Sequence, residues 1–305
     1  MTDLAVPATA EARRPMMGGE VAVHATGDVR RAQLSAVLDR MEAWASRLTR
    51  HDPASELMRC NAAPSSRVRV GPTLTAVLDW ARAAEGLSDG LVDVAMLDAR
   101  LAAEAGVESP PPLSASRRWS LDRGPRASTV RREPGVRFDL DGVAKGWLAD
   151  RALRLLRRYP GAVVDADGDV AVRVAPGDRW EVGVADPRAE GALLAVLVLD
   201  DGPGSPGRGR RRWGVATSGT TVHRFGRGAH HLIDPRTGRA AATDVVQATV
   251  LASGAAVAEA FAKAAVILGA VAGLDFLDRA GVAGAILLLE DDRVLALPRT
   301  MEFLG

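Results

Sequence analysis

A change of periodicity at Pro160-Gly161 constrains this chain more than any other feature. Before it, apolar residues recur at helical spacing; after it, they alternate or run in short blocks, as strands do. Leu34, Val37, Leu38, Met41, Trp44, Ala45 and Leu48 mark one helix, for which Asp28 offers an N-cap. Leu74, Val77, Leu78 and Ala81 mark a second over roughly 73–85, and Leu148, Ala152, Leu155 and Leu156 a third over 143–159, which Pro160-Gly161 ends. Residues 16–25 alternate as a strand, Ser55 begins a short capped turn, and short strands are expected near Trp119 and Val130. Past Gly161, strands are expected over 162–164, 170–174, 180–185, 193–199, 213–216 and 245–252. A helix of small residues over 255–268, a short one over 274–279 and a hairpin of 285–289 with 294–297 follow. Pro110-Pro111-Pro112 and the Gly/Pro/Arg-rich run 202–212 read as surface loops. Helices early, a mixed sheet later and a return to helix predict an α+β fold with one extended core. One domain over 16–305 is expected, after a frayed tail of 1–15.

Composition narrows the function classes. A formal net charge of +1 over 305 residues gives no electrostatic case for nucleic acid. The single cysteine, Cys60, excludes an internal disulfide framework and a cysteine-cluster metal site. No stretch of about 18 apolar residues occurs, and residues 1–15 lack an apolar leader core, so a cytoplasmic, non-membrane protein is expected.

Chemistry concentrates in two stretches. Thr217-Ser218-Gly219 ends an apolar run, and His230-His231-Leu232-Ile233-Asp234-Pro235-Arg236-Thr237-Gly238 follows shortly after. Such a turn exposes a histidine, a carboxylate and a guanidinium together, where loops on a rigid scaffold usually carry chemistry. Earlier, Asp139-Leu140-Asp141-Gly142-Val143-Ala144-Lys145-Gly146 joins carboxylates, a glycine turn and a lysine at a helix start. Backbone N–H groups there favour an anion, and the lysine adds a point charge.

These strings, in order over about residues 16 to 297, resemble the FAD:protein FMN transferase (ApbE-like) family. Met17-Gly18-Gly19 is similar to the family's Met-Gly-Thr, Ser55-Glu56-Leu57-Met58-Arg59-Cys60-Asn61 to its Ser-Glu-Leu-x-x-x-Asn, and Gly90-Leu91-Val92-Asp93 to its Gly-Ala-Phe-Asp. Asp139 to Gly146 resembles Asp-Leu-x-Gly-x-Ala-Lys-Gly, and the Thr217 and His231 strings resemble the family's two most telling ones. The resemblance implies a single α+β domain with a mixed sheet core flanked by helices and an FAD cleft. It implies an enzyme, a transferase that uses Mg2+ to move FMN from FAD to a Thr or Ser hydroxyl of an acceptor protein, with release of AMP. By position it implies that Met17, His51, Leu91, Val92, Asp93, Asp139, Lys145 and Gln247 contact FAD, and that His231 is the proton-transfer residue. Gly142 would offer a carbonyl to the metal.

Departures accompany the matches. The family's late-helix metal string, Ala-Asp-Ala-x-Ala-Thr-Ala, reads Ala258-Glu259-Ala260-Phe261-Ala262-Lys263-Ala264 here. Glu259 can still bind Mg2+, though its carboxylate sits one methylene further out than that of Asp; an ammonium cannot be a ligand while charged, so Lys263 is expected to stand in for Mg2+ or to pair with Glu259 one turn away. The paired glycines before Asp become Asp167-Gly168-Asp169, and Asp-Pro-Thr becomes Asp93-Val94-Ala95. Two alternatives therefore stand beside the transferase: a catalytically weakened FAD-binding or accessory protein, and an FAD pyrophosphatase using water as acceptor.

Overall fold

The computed structural model describes residues 9–107, 118–124, 127–201, 211–221, 224–225 and 229–305. The loops expected at Pro110-Pro111-Pro112 and over 202–210 lie outside these residues, as do Val222 and His223.

The chain opens with a hairpin of β1 (Thr9–Met16) and β2 (Gly19–Thr26), turned at Met17-Gly18, where both residues hold a positive φ. Residues 9–15 of the segment expected as a frayed tail are therefore a strand, and 1–8 lie outside the described residues. Ala12 points into the core, and Arg14 reaches Asp39 and Glu42 on α1 (Arg31–Leu48) at 2.7 Å, which ties the edge strand down. Asp28 does not cap α1; the Gln33 side chain accepts the Arg30 N–H at 3.0 Å instead. The turn expected at Ser55 is a full helix, α2 (Glu56–Ala62), whose Met58 N–H donates to Ser55 Oγ. β3 (Arg67–Val70), α3 (Pro72–Leu87) and α4 (Leu97–Glu104) follow. β4 (Trp119–Asp122) and β5 (Ser128–Arg132) join β3 in a small sheet of order β3-β5-β4. Next come α5 (Ala144–Leu155), β6 (Ala162–Ala166), β7 (Asp169–Val174), the hairpin β8 (Arg179–Ala185) with β9 (Leu193–Asp200), and β10 (Arg211–Gly219). Arg211 and Arg212 thus belong to a strand rather than to the expected loop.

Four two-residue strands make two short ladders: β11 (Arg224–Phe225) with β12 (Ala229–His230), and β13 (Ile233–Asp234) with β14 (Arg239–Ala240). The chain closes with β15 (Val245–Ala252), α6 (Ala255–Leu268), α7 (Ala270–Arg279), β16 (Gly284–Leu289), β17 (Val294–Ala296) and a 3-10 turn over Pro298–Phe303.

The main sheet has the order β1-β2-β6-β7-β10-β15-β16-β17. Each of its pairings is antiparallel, where a mixed sheet was expected. Several neighbours are linked by tight turns such as Asp167-Gly168, and a tight turn can only return the chain antiparallel. Alternate residues sort to two faces. Val21, Val23, Val164, Ala171 and Ala216 meet α1, α5 and α6, whereas Val163, Val172, Val215 and Leu251 meet Val184, Leu197 and Leu199 of the β8–β9 hairpin. Alanines let α6 lie close on the sheet, and Gly146 lets α5 cross it: a Cβ there would stand 2.6 Å from the Ala255 carbonyl oxygen. The starts of α5 and α6 are thereby held against each other, and the candidate site is built at this junction.

Candidate active site

Besides Arg100 on α4, four segments distant in sequence converge on a small cleft of about 70 Å³. They are the loop 91–96 before α4, the turn 139–143 before α5, residues 231–233, and Lys263 on α6. Of the residues predicted for the site, Leu91, Val92, Asp93, Asp139, Gly142, His231 and Lys263 line it.

The Asp139 turn is held from both sides. Asn61, buried at the end of α2, accepts the Phe138 N–H and donates to the Phe138 carbonyl, each at 2.8 Å, as a strand partner would. The Asp139 N–H reaches the Val94 carbonyl at 2.8 Å, which joins the turn to the Asp93 loop, and Asp139 Oδ1 accepts the Asp141 N–H at 3.0 Å. The Ser55-to-Asn61 string thus serves as a capped helix that carries a backbone clamp.

Charge is crowded around this turn. Burial, and then Asp141, push the Asp139 carboxyl up to about 6. Burial also works against ionised Asp141, but Arg50, whose Nε donates to it at 2.9 Å, outweighs that and holds it below the usual range. Deeper in, burial and the proximity of Glu259 raise Asp169 well above the ordinary carboxyl value, and burial raises Glu259 itself. Lys263 is drawn down by burial and feels Glu259, Asp139, Asp169 and Asp141 as opposing charges. Among the described residues, no carboxylate lies within ion-pair distance of its ammonium. The pairing of Glu259 with Lys263 along the helix is therefore through space, not a direct contact.

The two histidines part ways. His230 is buried, its Nε2 lies 3.0 Å from the Ala241 carbonyl, and its Nδ1 accepts the Leu232 N–H at 3.3 Å. These bonds place its proton on Nε2 and make it the oriented structural histidine. The neighbouring His231 lines the cleft, and its carbonyl accepts from Arg100 Nη1 at 2.7 Å. Asp234 and Arg236, which the sequence suggested would face the same way, are spent on each other at 2.8–2.9 Å in the β13–β14 hairpin.

The remaining predicted residues stand off the cleft. Lys145 bonds Asp167 at 3.0 Å, and the Met17 turn abuts that pair, since a Cβ on Gly19 would meet Asp167. Asp169 and Glu259 act on Lys145 through space and link that corner to Lys263. His51 is exposed and acts on Asp141 only by charge. Gln247 Nε2 donates to the Ala185 carbonyl at 2.9 Å, at the β8–β9 side of the sheet. A larger groove of about 760 Å³, lined by Arg67, Arg82, Arg118 and Trp119, adjoins the cleft and shares Asp93 with it. Sequence reasoning missed Asn61's clamp, Arg50, Arg100 and Glu104. The last two stand one turn apart on α4, a helix whose polar face hid it.

The ApbE family model matches residues 17–287, which include every segment of the cleft. The chain belongs to the ApbE family. It is 32% identical over 179 residues to a FAD:protein FMN transferase of Treponema pallidum, covering 54% of this chain and 47% of that one. With the FAD:protein FMN transferase of Salmonella typhimurium it shares 26% over 180 residues, 56% of this chain and 48% of that one. It spans about half the length of the curated relatives it matches. An ApbE protein of Thermotoga maritima superposes over 98% of this chain and all of the other, at a TM-score of 0.81 and 24% identity. The apo flavinyl transferase ApbE of Pseudomonas stutzeri does so over 99% of each, at 0.77 and 19%. The fold is therefore the ApbE fold.

The metal that the family resemblance implies does not fit this ApbE site. A Cβ on Gly142 would fall 1.7 Å from the Lys263 ammonium, so that ammonium fills the space beside Gly142. Glu259 Oε2 already accepts the Gly146 N–H at 3.0 Å, in the first turn of α5. Among the described residues, no group of three or more His, Cys, Asp and Glu is placed to hold an ion. A divalent ion placed here would meet the Lys263 ammonium, whose like charge opposes it.

Proposed function

We propose that this ApbE protein is an FAD:protein FMN transferase in which Lys263 takes the place of a divalent ion. The observation that carries the reading is the meeting of His231, of Asp139 and Gly142, and of Lys263, from three separate motifs, in one cleft. In the reaction, the hydroxyl oxygen of an acceptor Thr or Ser attacks the FMN phosphorus, and the bond to the bridging oxygen breaks. AMP departs with that oxygen, and the hydroxyl proton passes to His231. Such a transfer depends on positioning and on neutralised charge more than on covalent help from the protein. Histidine suits the proton step because its ordinary pKa is nearest neutrality.

Leu91, Val92, Asp93 and Asp139 would meet the flavin nucleotide from the cleft, with Met17, His51, Lys145 and Gln247 at its margins. For Lys145, contact with the diphosphate requires it to leave Asp167, which a stronger anion can bring about. Lys263 supplies one positive charge where a divalent ion would supply two and a rigid oxygen frame. FAD binding should therefore change little with Mg2+, and transfer should be slow. The test is AMP release and covalent flavin on an acceptor, with Mg2+ and with EDTA. Equal rates in both are expected. A rate that rises steeply with Mg2+ and vanishes in EDTA would overturn the substitution, while no AMP under either condition would overturn the transferase.

A further inference from the structure

Arg100 is the least explained charge near the cleft. It lies on α4, is only 6% exposed, and lines the same space as His231, Asp139 and Lys263. Its Nε donates to Glu104 at 2.7 Å, its Nη1 to the His231 carbonyl at 2.7 Å, and its guanidinium lies 5.1 Å from the Phe225 ring centre. Among the described residues, no acceptor is within hydrogen-bond distance of Nη2. Glu104 cannot neutralise it alone, because the same carboxylate takes two bonds from Arg50, at 2.6 and 3.2 Å. Arg50 in turn holds Asp141. Asp139 and Asp141 act on Arg100 through space as well, so its charge is not left uncompensated; what remains is an Nη2 donor without an acceptor among the described residues, on a side chain that lines the cleft. A planar guanidinium whose Nε and Nη1 are fixed leaves its remaining N–H groups in a set direction, which suits a phosphoryl oxygen better than a mobile lysine does.

We infer that Arg100 binds a phosphoryl oxygen of a nucleoside diphosphate through Nη2 while it anchors the His231 backbone through Nη1. The assignment rests on the transferase reading for the identity of the dinucleotide, but the anion site itself does not. One guanidinium then couples the proton acceptor to the diphosphate, so that His231 and the scissile anhydride keep their spacing.

The experiment measures binding of FAD, ADP and riboflavin, together with single-turnover AMP release, in wild type, Arg100→Ala and Arg100→Lys. Arg100→Ala should weaken FAD and ADP about 10–100-fold, as loss of a charge-assisted bond does, and leave riboflavin unchanged. Added guanidinium ion should restore part of the ADP affinity. Arg100→Lys keeps a cation beside Glu104 and should hold most of the ADP affinity but lose AMP release, because the His231 carbonyl loses its anchor. FAD and ADP affinities within twofold of wild type in a folded Arg100→Ala protein would overturn the site. So would an equal loss for riboflavin and ADP, which marks a structural role. If Arg100→Ala does not fold, Arg100→Lys decides: unchanged AMP release overturns the coupling. Wild type that binds ADP through Arg100 yet releases no AMP from FAD would keep this inference and remove the transferase reading.

Discussion

At His230 and His231 two identical side chains, one residue apart, meet different surroundings. Both His230 ring nitrogens have partners in the β13–β14 region, and burial holds its pKa below the ordinary value. His230→Ala should cost about 1–3 kcal/mol, the penalty for leaving buried polar groups unpaired, and denaturant melts would read it. His231→Ala should spare FAD affinity and lower AMP release about 10²–10⁴-fold, the range for a lost proton-transfer group. An active His231→Ala protein would remove that role. Asp139 offers a pH test. It ionises near 6 when folded against 3.8 ordinarily, so the folded chain binds its proton more tightly than the unfolded chain does. This group's contribution is greatest below about pH 4 and is lost as pH rises through about 6. Asp139→Asn should accordingly gain about 1–3 kcal/mol over wild type near pH 8 and nothing near pH 4. Thermal melts at the two values check it, and equal melting differences at both would count against a buried, ionising Asp139.

Between elements, stability and geometry are shared through backbone contacts. Asn61 on α2 is the only described side chain that bonds both the N–H and the carbonyl of Phe138. Asn61→Ala should lose about 2–4 kcal/mol from two buried bonds, and it should loosen the Asp139 turn, raising the KM for FAD. A variant with unchanged melting temperature and unchanged KM would show the clamp to be dispensable. Gly142 and Gly146 are four residues apart and predict opposite outcomes. A methyl at Gly146 meets the Ala255 backbone, which cannot yield, so Gly146→Ala should separate α5 from α6 and melt much earlier. A methyl at Gly142 meets only the end of a lysine, which can swing aside, so Gly142→Ala should fold normally and displace the Lys263 ammonium.

For the whole molecule, the eight-stranded sheet divides labour between its faces. One carries α1, α5 and α6 with the cleft at the junction of the last two; the other carries the β8–β9 hairpin. No helix among the described residues is long and apolar enough to cross a membrane. Because β1 is an edge strand that also anchors α1 through Arg14, removal of residues 1–16 should lower the melting temperature by on the order of 5 °C or more. Removal of residues 1–8 alone should leave β1 and its melting temperature intact. Differential scanning calorimetry of the two truncations separates these outcomes.

Periodicity and motif order determined most of the helices, most of the strands, the α+β class and the family, because each depends on local spacing that tertiary contacts did not override; the short α2 and the polar-faced α4 were the exceptions. Leu34 to Leu48 and the Ala-rich stretch of α6 are legible as amphipathic and buried helices whatever surrounds them. The β1 strand was not legible, since an edge strand of Ala, Arg and Glu has one wet face and looks like a tail. Nor was the sheet's antiparallel sense, which depends on which strands become neighbours. The site divides in the same way. Asp93, Asp139, Gly142 and His231, which line the cleft, lie in motifs and could be named from them. Arg50, Glu104 and Arg100 act only because folding carries α4 against the His231 segment, and a sequence gives no sign of which acid a distant arginine will meet. Lys263 was visible as a substitution, but that its ammonium lies against Gly142 rather than on a wet face was decided by the way α6 seats on the sheet beside α5.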